Sequence, residues 1–294
     1  MAKNIFLKGG CDIDAISFYL KGEYKKESSI KTTKHGIVYY SGHSTILSQA
    51  LLCPTHINKD NIFADEEIYY SNINNEKIDF LVLSTITEAF LGLYRNKTNK
   101  QIIAYGESYT SAIQFPEKYI KGECLFGYSE FKMENYEILK REYEFLGRIT
   151  PHDSLSNFVQ IINELPKETK ICFILPPYIH DETKEMSTAL IEADIFNEKL
   201  SKLLTQHFCN NTKISFIDPN KYLAKHYRSK YFYYNFQSMT HYKRRVYFHL
   251  AKDLQKVTNN KIKATKRNEY KRLIRKLKTK IKVTCNISQR MKKY

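Results

Sequence analysis

Cys11 is the residue of this sequence whose type and position best suit covalent chemistry. It follows Gly9 and Gly10, which come after the short apolar segment 4–7. A glycine pair permits a sharp turn, and backbone N–H groups at the start of a following helix favour a thiolate, although the carboxylate of Asp12 opposes it. Cysteine is also common as a small buried side chain. The local sequence leaves both interpretations open.

Three more polar residues stand in predicted loops. His43 and Ser44 are interpreted either as substrate-binding groups or as a solvated histidine and a helix-capping serine. Glu88 is interpreted either as a substrate-binding group or as an exposed residue without such a role.

His241 and His249 are eight residues apart, a spacing too long for two ligands of one metal ion, so no metal site is predicted.

Short apolar strands alternate with helices along the chain. Strands are predicted at 4–7, 36–40, 79–83, 101–104, 171–175 and 214–217. Helices are predicted at 153–165 with Asp153 as cap, at 183–206, and after His241. This alternation predicts an α/β fold, a three-layer sandwich with a mostly parallel sheet, whose reactive groups gather at the carboxyl ends of the strands.

The domain division follows from the same pattern. Residues 1–257 are predicted to form the α/β domain, and 258–294 a basic C-terminal tail. The segment 107–150, rich in Tyr, Phe, Glu and Lys, does not fit the alternation and is interpreted as an insertion or a lid.

Most of the net charge of +16 lies in the tail. Residues 261–294 contain 14 Lys and Arg and a single acid, Glu269, and so carry +13. Apolar residues recur there at spacings of three and four, which predicts a basic amphipathic helix: Tyr270, Leu273, Ile274, Leu277 and Ile281. Three interpretations remain open: a packed surface helix, a helix on an anionic membrane, and a nucleic-acid arm. The last is the weakest, because the body has no basic stripe interleaved with aromatics.

The sequence also predicts a compartment. Six widely spaced cysteines contain no CxxC pair and no zinc-like spacing, which is typical of reduced thiols in a cytosolic protein. The apolar stretch at the N-terminus is shorter than a signal peptide requires, and no apolar run approaches the ~20 residues that span a bilayer. We therefore expect a cytoplasmic protein, held at the inner face of the membrane if the tail binds lipid.

Several blocks of the chain resemble the SGNH/GDSL hydrolase superfamily. The turn Lys8-Gly9-Gly10-Cys11-Asp12 is similar to its Gly-Asp-Ser block, with Cys11 in place of the serine. It looks closer still to cysteine-bearing SGNH-like proteins of bacterial capsule and surface-polysaccharide gene clusters. Gly42, the segment 84–88 and Thr240-His241-Tyr242 resemble the second, third and last blocks, so the likeness spans roughly residues 4 to 257.

The likeness implies an SGNH or flavodoxin-like sheet and a role for each matched residue. Cys11 corresponds to the nucleophile and His241 to the general base, and the backbone N–H groups of Cys11 and Gly42 would bind the oxyanion. The positions assigned to the oxyanion and substrate-binding region are Gly10, Gly42, His43, Ser44, Glu88 and Tyr242.

Two departures weaken the match. The asparagine of the third block is absent, with Thr87 and Glu88 near its place, and Ser238 stands where the acid partner of the histidine is usual. Asp218 is the nearest acidic candidate upstream, although an aspartate before proline is also a common turn-former. These gaps fit a cysteine enzyme better than a serine enzyme, and they also fit an inactive one.

The predicted function is acyl transfer, of O-acetyl groups or by a related esterase, in surface-glycan biosynthesis. The resemblance implies an acyl-CoA such as acetyl-CoA as donor, no tightly bound cofactor, and a glycan, nucleotide sugar or lipid-linked saccharide as acceptor. The alternatives are a non-catalytic glycan-assembly or CoA-binding factor with a degenerate site, and a nucleic-acid-binding protein acting through its tail.

Overall fold

The structure is a computed structural model of the 294-residue chain. It describes residues 4–28, 30–32, 38–52, 63, 73, 77–105, 133–178, 188–223, 242, 244–258 and 263–264.

Twelve strands and seven α-helices are found in the described part of the chain. The strands are β1 (Ile5–Gly9), β2 (Leu20–Lys21), β3 (Lys25–Ser28), β4 (Ile30–Thr32), β5 (Val38–Tyr40), β6 (Phe80–Ser84), β7 (Gly92–Asn96), β8 (Ile102–Tyr105), β9 (Tyr143–Arg148), β10 (Lys170–Ile174), β11 (Ile214–Ile217) and β12 (Lys263–Ala264). The helices are α1 (Cys11–Ser17), α2 (Ser44–Leu52), α3 (Met133–Glu142), α4 (Pro151–Glu164), α5 (Thr188–His207), α6 (Asn220–Leu223) and α7 (Arg244–Thr258). A short 3₁₀ helix covers Glu88–Phe90.

The main sheet has five parallel strands in the order β11-β10-β6-β1-β3. In sequence order this is 2-1-3-4-5, a doubly wound arrangement whose direction of winding reverses between β1 and β6. Crevices form at such a reversal, outside the carboxyl ends of the strands. The predicted parallel sheet is confirmed.

Alternating side chains of the strands enter two separate cores. Leu7, Val82 and Cys172 pack against α1 and α7 on one face of the sheet. Phe6, Leu81 and Phe173 pack against α2, α4 and α5 on the other face. Since both faces are covered by helices, the predicted three-layer α/β sandwich is confirmed.

A second, antiparallel sheet has the order β8-β7-β9. Its apolar side chains, such as Leu93 and Ile103, form a third core with Ile46 of α2. The sheet includes the predicted strand 101–104, and also residues 143–148 of the segment interpreted as an insertion or lid. Residues 106–132 lie outside the described residues.

Two local predictions require correction. The strand predicted at 36–40 pairs, in its described part Val38–Tyr40, antiparallel with β4 and does not enter the main sheet. The second sequential strand of that sheet is β3. The second correction concerns the cap of α4, which is Thr150 and not Asp153. Thr150 Oγ1 accepts from Asp153 N at 3.1 Å and donates to Asp153 Oδ2 at 2.6 Å.

Gly9 lies where α1 and β6 come closest to β1. A Cβ added at Gly9 would collide with Ile13 Cγ1 and lie 2.7 Å from Ser84 Cβ. We expect Gly9→Ala to lower the free energy of unfolding by about 2 kcal/mol through overpacking. Urea denaturation measures this change, and an alanine variant as stable as wild type would contradict the close approach.

The chain beyond α7 is described at one place only. Lys263 and Ala264 pair antiparallel with Lys21 and Leu20, which joins the segment after α7 to the body of the protein. The apolar stripe of the predicted amphipathic helix, at 270–281, lies outside the described residues. Among the helices described, none has the length and hydropathy needed to cross a membrane.

Candidate functional site

Three of the predicted site residues lie at the carboxyl edge of the main sheet. Cys11 follows β1, Glu88 lies a few residues after β6, and Asp218 follows β11 directly. Because these strands are parallel, their carboxyl ends share one edge. His241 lies outside the described residues, whereas Tyr242, the next residue in the chain, is described.

Cys11 begins α1 and is partly exposed. Gly10 is the N-cap, with φ −85° and ψ −146°. The other described cysteines differ: Cys209 is exposed and far along the chain, and Cys172 is buried in the core, where burial raises the pKa of its thiol to about 12. Of these three thiols, Cys11 alone stands at the carboxyl edge of the main sheet.

A buried ion pair anchors the strand that ends in this turn. Lys8 Nζ contacts Glu27 Oε1 of β3, and both side chains are nearly enclosed. The same Nζ lies 3.4 Å from the Oγ of Ser41, which directly precedes Gly42. The glycine turn and the Ser41-Gly42 loop are therefore held against the same end of β1.

Tyr242 and Tyr247 lie within electrostatic range of Cys11. The backbone N–H of Tyr242 donates to Tyr247 Oη at 3.0 Å, and the two ring centroids are 5.2 Å apart. Burial raises the pKa of Tyr242, and the negative charges of Asp12 and Cys11 add to the rise. The pKa of Tyr247 is also raised, chiefly by burial, and Cys11 contributes there too. Tyr242 and Cys11 therefore lie within electrostatic range of one another.

Asp12 is buried directly after Cys11, with 1% of its surface exposed. Ser84 Oγ, at the end of β6, donates a 2.5 Å hydrogen bond to its Oδ2. Its Oδ1 has no hydrogen-bond partner in the described part of the chain. Burial raises the pKa of this carboxyl. From the sequence, Asp12 was expected only to oppose the thiolate by its charge, and its burial was not predicted.

Glu88 is enclosed completely and binds the first turns of two helices. Its Oε1 accepts from Ser44 N at 2.7 Å, and its Oε2 accepts from Ser44 Oγ at 2.6 Å and from Ser154 Oγ at 2.5 Å. Ser44 begins α2, and Ser154 lies in the first turn of α4. Helix N-termini favour negative charge, so this carboxylate joins α2 and α4 to the end of β6.

His43 is buried next to this carboxylate. Its Nδ1 accepts from Thr45 N at 3.3 Å, so the ring proton belongs on Nε2. That Nε2 lies 3.9 Å from Glu88 Oε2 and forms no hydrogen bond with the described residues. Burial lowers the pKa of His43, more than the nearby Glu88 raises it.

These contacts bear on the alternatives left open for His43, Ser44 and Glu88. All three are fully buried, and Ser44 and Glu88 hydrogen-bond one another, so the described residues form an internal polar cluster. Neither the solvated histidine nor the exposed glutamate of the alternative interpretation is present. Gly10 and Gly42 are also buried, in backbone turns beside Cys11 and His43.

Asp218 has the turn-forming role that the sequence analysis weighed against catalysis. Its Oδ1 accepts from Asn220 N at 2.9 Å and from Asn220 Nδ2 at 2.8 Å. Asn220 Oδ1 accepts in turn from Tyr178 N at 2.9 Å, which ties the ends of β10 and β11 together. Asp218 still lies within electrostatic range of the Tyr242 hydroxyl.

The burial of His43 predicts a stability that depends on pH. The folded protein keeps the ring neutral, whereas the unfolded chain binds a proton near the ordinary pKa of 6.5. The free energy of unfolding should therefore fall as pH drops below about 6.5, by about 1 kcal/mol or more by pH 5. His43→Gln should remove most of this fall in urea titrations at pH 7.5 and 5. The exposed His152→Gln is the control, and equal losses in wild type and His43→Gln would contradict the prediction.

No three His, Cys, Asp or Glu side chains of the described residues come together as metal ligands would. Comparison of the chain with models of known protein families gives no match, and comparison with curated protein sequences gives none either. The function is therefore inferred below from the fold, from this edge of the sheet and from the resemblance to the SGNH superfamily.

Proposed function

We propose that this protein is a cysteine-dependent acyltransferase of surface-glycan biosynthesis, transferring an O-acetyl group, or a related esterase, with an SGNH-like fold. The observation that carries the proposal is the position of Cys11. A partly exposed thiol follows the first strand of a 2-1-3-4-5 sheet, beside the point where the winding reverses. Tyr242, the residue after His241 in the chain, lies in electrostatic range of that thiol.

The proposed mechanism is acyl transfer through a thioester. His241 takes the Cys11 proton, and the sulfur attacks the carbonyl carbon of an acyl-CoA. Backbone N–H groups of Cys11 and Gly42 stabilise the oxyanion, at about 3 kcal/mol for each well-aimed donor. CoA leaves as a thiol with the proton from His241. A sugar hydroxyl then attacks the thioester, gives its proton to His241, and the Cys11 thiolate leaves; water in place of the sugar gives the esterase reaction.

Acetyl transfer from acetyl-CoA to capsule-type oligosaccharides tests this function. Wild type should acetylate the acceptor, and Cys11→Ala and His241→Ala should not. Cys209→Ala is the matched control, because it removes an exposed cysteine far from the carboxyl edge. Activity that survives in both the Cys11 and the His241 variant would remove the proposed site.

A second candidate is a non-catalytic glycan-assembly or CoA-binding factor. The segment 84–88, which resembles the third SGNH block, favours this candidate because its polar side chains are buried and already bonded within the protein. Ser84 donates to Asp12, Glu88 accepts from two serines, and Thr85 donates to the Ile174 carbonyl. That block therefore offers little to an oxyanion. Calorimetric binding of CoA, with no acyl transfer and no effect of Cys11→Ala on affinity, would favour this candidate over the enzyme.

We also propose that residues 261–294 hold the protein at an anionic membrane. The charge of +13 supports this, since each basic residue near an anionic leaflet contributes about 1 kcal/mol. Wild type should sediment with vesicles containing phosphatidylglycerol, and deletion of 261–294 should release it. If the same deletion instead abolishes steeply salt-dependent binding to DNA or RNA, the nucleic-acid alternative is correct.

A further inference from the structure

Asp12 has no role in the proposed mechanism, although its carboxyl lies in an unusual environment. It stands directly after Cys11, at the start of α1, and its carboxyl is almost fully enclosed. Ser84 of β6 donates to Oδ2, and Oδ1 has no hydrogen-bond partner within the described residues. The backbone N–H groups of Ile13 and Asp12 also favour the charged carboxylate, but burial outweighs them and Ser84, so the pKa of Asp12 is raised. A carboxyl placed in this way is unusual, because burying its charged form without full hydrogen bonding is costly.

The groups around Asp12 come from three directions. Cys11 and Asp14 share its helix, and Ser84 faces it from the end of β6. Tyr242 and Tyr247, which share the core that α1 and α7 form, lie within electrostatic range of both Asp12 and Cys11. None of these described neighbours is positively charged. Lys26 Nζ binds the exposed Asp14 at 2.6 Å.

We propose that Asp12 is a positioning residue for this site, whose buried carboxyl controls the reactivity of the Cys11 thiol through its own charge. The inference rests on the proposed function only in treating Cys11 as the nucleophile. When the carboxyl is neutral, the residue next to Cys11 in the first turn of α1 carries no negative charge, and the thiolate forms readily. When the carboxyl is ionised, like-charge repulsion in a poorly solvated region disfavours the thiolate.

Ser84 adjusts this control. Its hydroxyl donates to Asp12 Oδ2 and therefore favours the ionised carboxylate, in opposition to burial. Removing that hydroxyl should keep Asp12 neutral to higher pH. With less negative charge on Asp12, the Cys11 thiolate should form more easily, although Ser84 itself carries no charge.

The pH dependence of Cys11 alkylation tests the proposal on the full-length protein. Iodoacetamide alkylates the thiolate with loss of iodide, and peptide mass spectrometry gives the rate at Cys11 separately from the rate at exposed Cys209. We expect Asp12→Asn to raise the Cys11 rate by at least about threefold at the pH values between about 6 and 9 where wild-type Asp12 is ionised, and to move the pH profile to lower pH. An increase of less than threefold throughout this range, or a decrease, would overturn the proposal.

Two further variants keep the test specific. Asp14→Asn removes the same charge from the same helix, but at an exposed position paired with Lys26, so it should change the Cys11 rate by less than about threefold. An equal effect of both asparagine variants would also overturn the proposal. Ser84→Ala should raise the alkylation rate of Cys11. If Asp12→Asn does not fold, an unchanged or lower rate in Ser84→Ala overturns the proposal.

This experiment uses no acyl donor and no glycan. If acetyl transfer is never found but the three variants behave as expected, the proposed function fails while the control of Cys11 by Asp12 stands. If acetyl transfer depends on Cys11 but Asp12→Asn leaves its alkylation unchanged, the proposed function stands and this inference fails.

Discussion

Cys11→Ala should lower kcat for acetyl transfer by about three orders of magnitude or more, because the thioester cannot form without the sulfur. Cys11→Ser should lose nearly as much. A hydroxyl needs more help from a base than a thiol does, and Asp218, the acid predicted to support His241, already accepts two hydrogen bonds from Asn220. Steady-state kinetics with acetyl-CoA and a saccharide acceptor provide the measurement.

Unchanged folding must accompany this loss. Cys11 is only partly buried, so Cys11→Ala should keep the urea midpoint of wild type, and Cys209→Ala should keep both stability and activity. A Cys11→Ala variant that is folded and fully active would exclude the covalent mechanism. A fully active serine variant would indicate a serine-type site that does not need the thiol.

Glu88→Ala should lower the free energy of unfolding by about 3 kcal/mol or more. The substitution leaves a cavity and removes the acceptor of Ser44 N, Ser44 Oγ and Ser154 Oγ in a region closed to water. Glu88→Gln keeps the shape but loses the charge that faces two helix N-termini, so it should lie between wild type and Glu88→Ala. Denaturant unfolding at pH 7 measures all three proteins.

Two controls make this prediction specific to the buried carboxylate. Glu164→Ala removes an exposed carboxylate at the end of α4 and should cost less than about 0.5 kcal/mol. Acetate should restore part of the stability of Glu88→Ala, because the cavity keeps its hydrogen-bond donors. If Glu88→Ala were as stable as Glu164→Ala, the buried carboxylate would not link α2 and α4.

The central strands were predictable because burial on both faces leaves a continuous apolar run in the sequence. The strand predicted at 214–217 has the bounds of β11. The strands predicted at 79–83 and 171–175 are each shifted by one residue along the chain relative to β6 and β10. The edge strand β3 was missed because its sequence, Lys-Lys-Glu-Ser, is polar. Such a sequence is expected of a strand that pairs on one side only, and no apolar pattern distinguishes it from a loop.

The sequence predicts where the candidate site lies better than it predicts which residues contact one another there. Two glycines after an apolar strand identify the turn that holds Cys11, and this information is local. The partners of Glu88 are not local: Ser154 lies 66 residues away, and α4 carries it to the carboxylate through packing that no short pattern encodes. Asp12 was misjudged for the same reason, since its burial depends on Ser84, 72 residues away.

The most direct test of the covalent mechanism is to find the acyl group on the protein. Wild type, Cys11→Ala and Cys209→Ser, each incubated with acetyl-CoA, should be digested and their cysteine peptides analysed by mass spectrometry. The mechanism predicts an acetyl group on Cys11 that hydroxylamine removes, present in wild type and Cys209→Ser and absent from Cys11→Ala. Acetyl transfer to a saccharide by wild type with Cys11 unmodified, and at the same rate by Cys11→Ala, would contradict it.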